Sequence, residues 1–119
     1  MFEILMKKFI DTKLNIIIQP SFVTDVPGYV YVHSPVNSGP VNESQYEIKI
    51  IDDDLDRAVH KRDELIKLLN LEKEKTSHCI DDLVFRSSLA GGGQLFNDSI
   101  QVWELSLIYI IKWRLKNGE

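Results

Sequence analysis

Four aspartates stand close together at Asp52, Asp53, Asp54 and Asp56, and a further pair follows at Asp81 and Asp82. Carboxylates crowded in this way bind a cation, exchange protons with a substrate, or face a positively charged partner. Positions 52, 54, 56 and 63 reproduce four ligand spacings of a calcium loop, but the position that needs glycine for the sharp turn is Arg57. No metal is expected there. Acid–base work needs a second reactive group, and none is well placed. His78 and Cys79 are adjacent, so their side chains point apart, and Cys79 reads as a small buried apolar residue. His33 and His60 have no second histidine or cysteine at ligand spacing. The triple glycine Gly91–Gly93 is followed by Gln94, Leu95 and Phe96, not by the lysine and hydroxyl of a phosphate loop. No Gly-x-Ser-x-Gly elbow occurs. The expectation is a protein without catalytic residues or cofactor.

The third use of the acids remains. Like charges this close repel by a few tenths of a kcal/mol per pair, and a helix cap and dipole absorb only part of the cluster. A surplus kept against that repulsion fits a basic partner, because complementary charge raises association rate and sets specificity. Asp52, Asp53, Asp54, Asp56, Asp81 and Asp82 are therefore the candidate partner-binding residues. The reading loses its support if the four acids around Leu55 fold back on the chain's own arginines or hold an ion.

The elements that must carry these residues follow from periodicity. Phe2, Leu5, Met6, Phe9 and Ile10 recur at helical spacing. Lys13 to Gln19 reads as a strand buried on both faces. Tyr29 to His33 is a second strand, with Tyr29, Tyr31 and His33 on one face, and a proline- and asparagine-rich loop spans residues 34–44. Gln45 to Ile51 alternates cleanly, with Tyr46, Ile48 and Ile50 facing inward. A long helix runs from Asp53 to Lys73. Residues 76–90 fit either a short helix or a strand near Leu83, and Gly91–Gly93 breaks the chain. The terminal stretch from Asn97 to Leu115 is apolar nearly all round. Trp103, Leu105, Leu107, Tyr109, Ile111 and Trp113 also alternate at period two, but the length of the stretch favours a helix over a strand. The expected fold is α+β, with a mainly antiparallel sheet of three or four strands packed on a long central helix and an apolar C-terminal helix.

Length and composition bound the remainder. The 119 residues make one domain, 1–119, and 44% hydrophobic with 27% charged residues fits a folded chain. A net charge of -4 disfavours direct binding of nucleic acid. Glu104 and Lys112 bracket too short an apolar run for a membrane span. Residues 1–13 lack a basic leader pattern, so a cytoplasmic location is expected. The lone Cys79 cannot form an intramolecular disulfide.

In size, acidity, lack of a catalytic set and the two aspartate clusters, the chain resembles the small acidic immunity proteins of bacterial toxin–immunity pairs. The likeness is one of general character, not of motif. It implies an inhibitor bound tightly to a basic toxin domain, often a nuclease, with the acids at the toxin's cleft or beside it. A phage-encoded inhibitor of a host defence nuclease fits the same features. From other classes, a small-ligand-binding or enzymatic domain would place its site between Tyr31, His33 and Tyr46 and the Gly91–Gly93 loop. A homo-oligomer would bury part of the terminal stretch.

Overall fold

The computed structural model describes residues 2–20, 25–38, 42–69 and 78–116. The N-terminal periodicity becomes α1 (Phe2–Leu14), which buries Phe2, Leu5, Met6, Phe9 and Ile10. Asn15 ends it in the left-handed region at φ 53°, a conformation asparagine tolerates at helix ends. The expected strand over residues 13–19 is thereby shortened to β1 (Ile18–Pro20), of which Ile18 alone is buried. β2 (Gly28–Ser38) and β3 (Asn42–Asp52) form an antiparallel pair, so most of the supposed loop over 34–44 is strand. The helix expected from Asp53 to Lys73 appears as α2 (Leu55–Leu69), which begins two residues later; residues 70–73 lie outside the described residues. β4 (His78–Ile80) then turns through Asp81 and Asp82 into β5 (Leu83–Asn97), so from residue 78 to 90 the strand reading holds and the helix reading does not; residues 76 and 77 lie outside the described residues.

The largest correction concerns the terminal stretch. It is β6 (Val102–Leu115), not a helix, and it lies between β3 and β5 in a six-stranded sheet of order β1-β2-β3-β6-β5-β4. The expected three- or four-stranded sheet packed on a long central helix and a C-terminal helix is wrong: two helices accompany six strands, and the sheet is mixed and curls into a half-barrel. Period-two alternation decides the matter. Leu105, Leu107, Tyr109 and Ile111 are buried, while Ile108 and Ile110 between them are only partly covered. Strand length argued the other way because it was judged for an isolated segment. Here β3 and β5 are 11 and 15 residues long, and they satisfy both backbone edges of a 14-residue strand. Asn97, Asp98 and Ser99, at the start of the expected helix, build the β5–β6 turn instead. The Asn97 side chain accepts the Ser99 N–H at 3.1 Å, and Gln101 takes φ 57°. Gly91–Gly93 does not break the chain; it continues β5 past a bulge between Leu89 and Gly91.

β1 and β2 run parallel and all the other pairs antiparallel. One face of the sheet carries Tyr31, Tyr46, Ile48, Ile50, Leu105, Leu107, Tyr109 and Phe85, and both helices contribute buried side chains to the same core. α1 brings its five apolar residues, and α2 brings Ala58, Leu65 and Leu69. The Ser87 hydroxyl donates to the Leu69 carbonyl and so ties α2 to β5. No helix among the described residues is long and apolar enough to cross a membrane.

Candidate functional site

The aspartate cluster sits where β3 hands over to α2, and most of its members have local work. Asp52 closes β3 with its side chain 1% exposed. Arg57, one turn into α2, donates Nε to Asp52 Oδ2 at 2.7 Å and Nη2 to Asp52 Oδ1 at 2.6 Å. The Asp54 N–H reaches Asp52 Oδ1 at 3.0 Å. Burial pushes the Asp52 carboxyl up, but the Arg57 hydrogen bonds, the Asp54 N–H and the guanidinium charge outweigh it and hold the group below the usual aspartate range. Asp54 caps α2: its Oδ1 accepts the Arg57 N–H at 3.3 Å and its carbonyl accepts the Ala58 N–H at 3.1 Å. Asp53 shares the same guanidinium at 3.2 Å and is otherwise solvated. Asp56 is exposed in the first turn, where the helix dipole favours a negative charge. Four carboxylates against one guanidinium leave three negative charges (4 − 1), carried by an ordered turn.

Asp81 and Asp82 answer a different need. Ile80 pairs with Leu83, so the two aspartates form a two-residue hairpin turn, and Asp81 adopts φ 50°. Aspartate is one of few residues that tolerate this. Lys8 pairs with Asp81 at 3.0 Å, and the Asp82 carbonyl accepts the Lys116 N–H at 2.7 Å. The two clusters lie at opposite ends of the sheet. Asp52 aligns with Trp103 and Leu83 with Leu115, a span of twelve residues (115 − 103) along β6, or about 40 Å at strand rise. A standard interface of roughly 800 Å² per side is only about 30 Å across. The structure therefore does not bring all six aspartates to one contact.

A second polar group is brought together from four elements, and sequence spacing concealed it. His33 and Ser44 are diagonal neighbours on the inner face of β2 and β3, with His33 Nε2 and Ser44 Oγ 3.0 Å apart. Trp113 Nε1 donates to Ser44 Oγ at 3.1 Å. Glu3 Oε1 lies 3.6 Å from His33 Nδ1, and Tyr31 donates to Glu3 Oε2 at 2.8 Å. An acid, an imidazole and a hydroxyl in this order match the layout of an activated serine. Access does not. Ser44 is 2% exposed and already accepts the indole N–H, and Phe2 stacks on Trp113 at 4.6 Å and leans on His33 at 5.2 Å. The network ties α1 to β2, β3 and β6. Ser44 had been read as loop, which hid its alignment with His33, and Trp113 and Glu3 are distant in sequence.

Tyr31 and Tyr46 stack nearly parallel at 5.2 Å. Burial, together with the Glu3 carboxylate, pushes the Tyr31 hydroxyl up to about 12. Burial also raises Tyr46 and Tyr109, whose hydroxyls are enclosed with no partner among the described residues. An enclosed orphan hydroxyl costs about 1–3 kcal/mol. Tyr46→Phe and Tyr109→Phe should therefore leave stability unchanged or raise it by up to about 1 kcal/mol, whereas Tyr31→Phe should lose about 1 kcal/mol with its Glu3 bond. Urea unfolding of the three variants checks the contrast. A clear loss in Tyr109→Phe would mean that an internal water holds the hydroxyl.

The ligand-site alternative fares poorly in its expected place. Gly91–Gly93 lies in β5, separated from β2 by β3 and β6, so it makes no loop against Tyr31 and His33. A depression of about 390 Å³ does open between Asn15–Ile17 and Pro27–Tyr29, and among the described residues of its lining Asp25 is the one carboxylate and no nucleophile–base pair accompanies it. Cys79, expected to be buried, is exposed on β4. Among the described residues no three His, Cys, Asp or Glu side chains group as metal ligands. No family model, no curated protein and no solved structure matches the chain.

Proposed function

We propose that the protein is an inhibitory binding protein of the immunity type, which neutralises a basic protein partner, a toxin domain such as a nuclease. The single observation that carries this reading is the form of the α2 N-terminus. Arg57 is committed to the buried Asp52, and the turn is thereby fixed while Asp53, Asp54 and Asp56 remain exposed. An anionic edge held in place loses little freedom on binding, and its charge speeds encounter with a cation-rich surface. In this reading Asp52 positions the turn and the three exposed carboxylates make the contact. Asp81 and Asp82, at the far end of the sheet, belong to a separate surface.

The test is association with cationic toxin domains encoded beside this gene, measured at low and moderate salt. Replacing Asp53, Asp54 and Asp56 together by Asn keeps a capping side chain at 54 and should slow association about tenfold or more and flatten its salt dependence. The Asp81→Asn, Asp82→Asn variant should associate like the parent chain. Binding to none of these domains at either salt, or equal rates for the triple variant, sinks the proposal. Neighbouring toxin genes would also separate this reading from an inhibitor of a host defence nuclease.

A further inference from the structure

Among the described residues, the sheet edges are protected with one exception. β1 is three residues long and ends on Pro20. The free part of β2 beyond the β1 pairing carries Pro35 and a bulge between Pro35 and Asn37. β4 is three residues long and leads directly into Asp81 and Asp82. Short strands, proline, bulges and charge are the usual means of blunting an edge. β5 differs. β4 pairs with residues Leu83 to Phe85 only, and β5 then passes Arg86 and the bulge between Leu89 and Gly91 before running on to Asn97 as Gly-Gly-Gly-Gln-Leu-Phe-Asn, a stretch with neither charge nor proline. Gly91 through Phe96 are all exposed, with Leu95 at 57% and Phe96 at 40%.

The residue order along this edge selects an occupant. In an antiparallel pairing of two such edges with Gly93 at the twofold axis, Leu95 lies opposite Gly91 of the other copy and Gln94 opposite its Gly92. The β6 register puts Gly91, Gly93 and Leu95 on one face of β5, and Gly92, Gln94 and Phe96 on the other. Each opposed pair therefore shares a face, and Gln94 and Leu95 each cover a glycine while Phe96 falls opposite Ala90, an arrangement by which bulky neighbours compensate strand glycines. Arg62 holds the Gln94 amide at 3.2 Å from the α2 side, which keeps that side chain over the sheet. A twofold contact requires a self-complementary patch, and this edge is one. We infer that the protein self-associates through the Gly91–Asn97 edge of β5, joining two copies in one continuous antiparallel sheet.

Light scattering and sedimentation over a wide concentration range should show a mass rising from the 13.8 kDa monomer toward twice that value. Leu95→Lys places a charge at an exposed edge position, so it should fold with unchanged circular dichroism and weaken the dimer at least tenfold. In a Cys79→Ser background, Gly93→Cys should form a disulfide-linked dimer on oxidation, because a Cβ at Gly93 meets nothing within 4 Å and lies next to the axis. Leu95→Cys should not, since its two copies sit beyond disulfide reach in this register. A mass that stays monomeric at every concentration overturns the inference. So does a Leu95→Lys dimer as tight as the parent, or a Leu95→Cys crosslink as fast as that of Gly93→Cys.

Discussion

Gly92→Ala is expected to lower the free energy of unfolding by about 3 kcal/mol, while Gly91→Ala and Gly93→Ala change it by no more than about 0.5 kcal/mol. A methyl group at Gly92 would stand 2.3 Å from the Ser106 carbonyl oxygen, whereas at Gly91 and Gly93 nothing comes within 4 Å. The obstacle at Gly92 is backbone and cannot swing aside as a side chain would. Ser106 lies in β6, hydrogen-bonded between β3 and β5, so relief would require moving the central strand of the sheet. Of the three glycines only the middle one is demanded by packing, at a close approach just past the β5 bulge. Denaturant unfolding followed by fluorescence is well suited to the comparison, because Trp103 and Trp113 report from opposite ends of β6. Equal losses at all three positions would place the requirement in backbone entropy, not in the close approach.

Removing the Asp52–Arg57 clamp should have the next largest effect. Asp52→Asn keeps the shape but gives up charge-assisted bonds to the guanidinium, a loss of about 2 kcal/mol at neutral pH. Arg57→Met should destabilise as well, since it strands a buried carboxylate. The pH dependence has a definite sign. The folded Asp52 carboxyl titrates below its unfolded value of 3.8, so its contribution is complete above that value and disappears as pH falls through the depressed folded value. Stability of the parent protein should therefore hold from neutrality down to about pH 5 and decline below about pH 4. The acid limb should be shallower in Asp52→Asn. An equally steep limb in both proteins would assign the acid sensitivity to other carboxylates, Glu64 beside Lys61 foremost. Because the clamp also orders the turn that carries Asp53, Asp54 and Asp56, Asp52→Asn should weaken partner association without touching an exposed charge.

The acid cluster shows how far local reading reaches. Asp54 as a helix cap and Asp56 as a first-turn acid follow from the start of α2. The Arg57 bond to Asp52 was within reach too, five residues away across a strand end and the first helical turn. Local pattern hides it, because Asp52 looks like one more acid opening the helix when it is the last residue of β3. The Asp81–Asp82 pair looked like surplus charge until the β4–β5 pairing made it a two-residue turn that needs positive φ.

The amino-acid order by itself determined the elements whose burial is one-sided. α1 and α2 announce themselves through a 3.6-residue stripe, and β3 through strict alternation, because each meets the core on one face and water on the other. Tertiary structure alone decided the state of β6, which is apolar enough on both faces to satisfy either period. Two long neighbouring strands with open edges made the extended form the one that satisfies every backbone group. It also decided that three glycines could run inside a strand, and that Glu3, His33, Ser44 and Trp113 should meet. Those outcomes depend on strand neighbours far away in the chain, and no local pattern of hydrophobicity encodes which neighbour a strand will find.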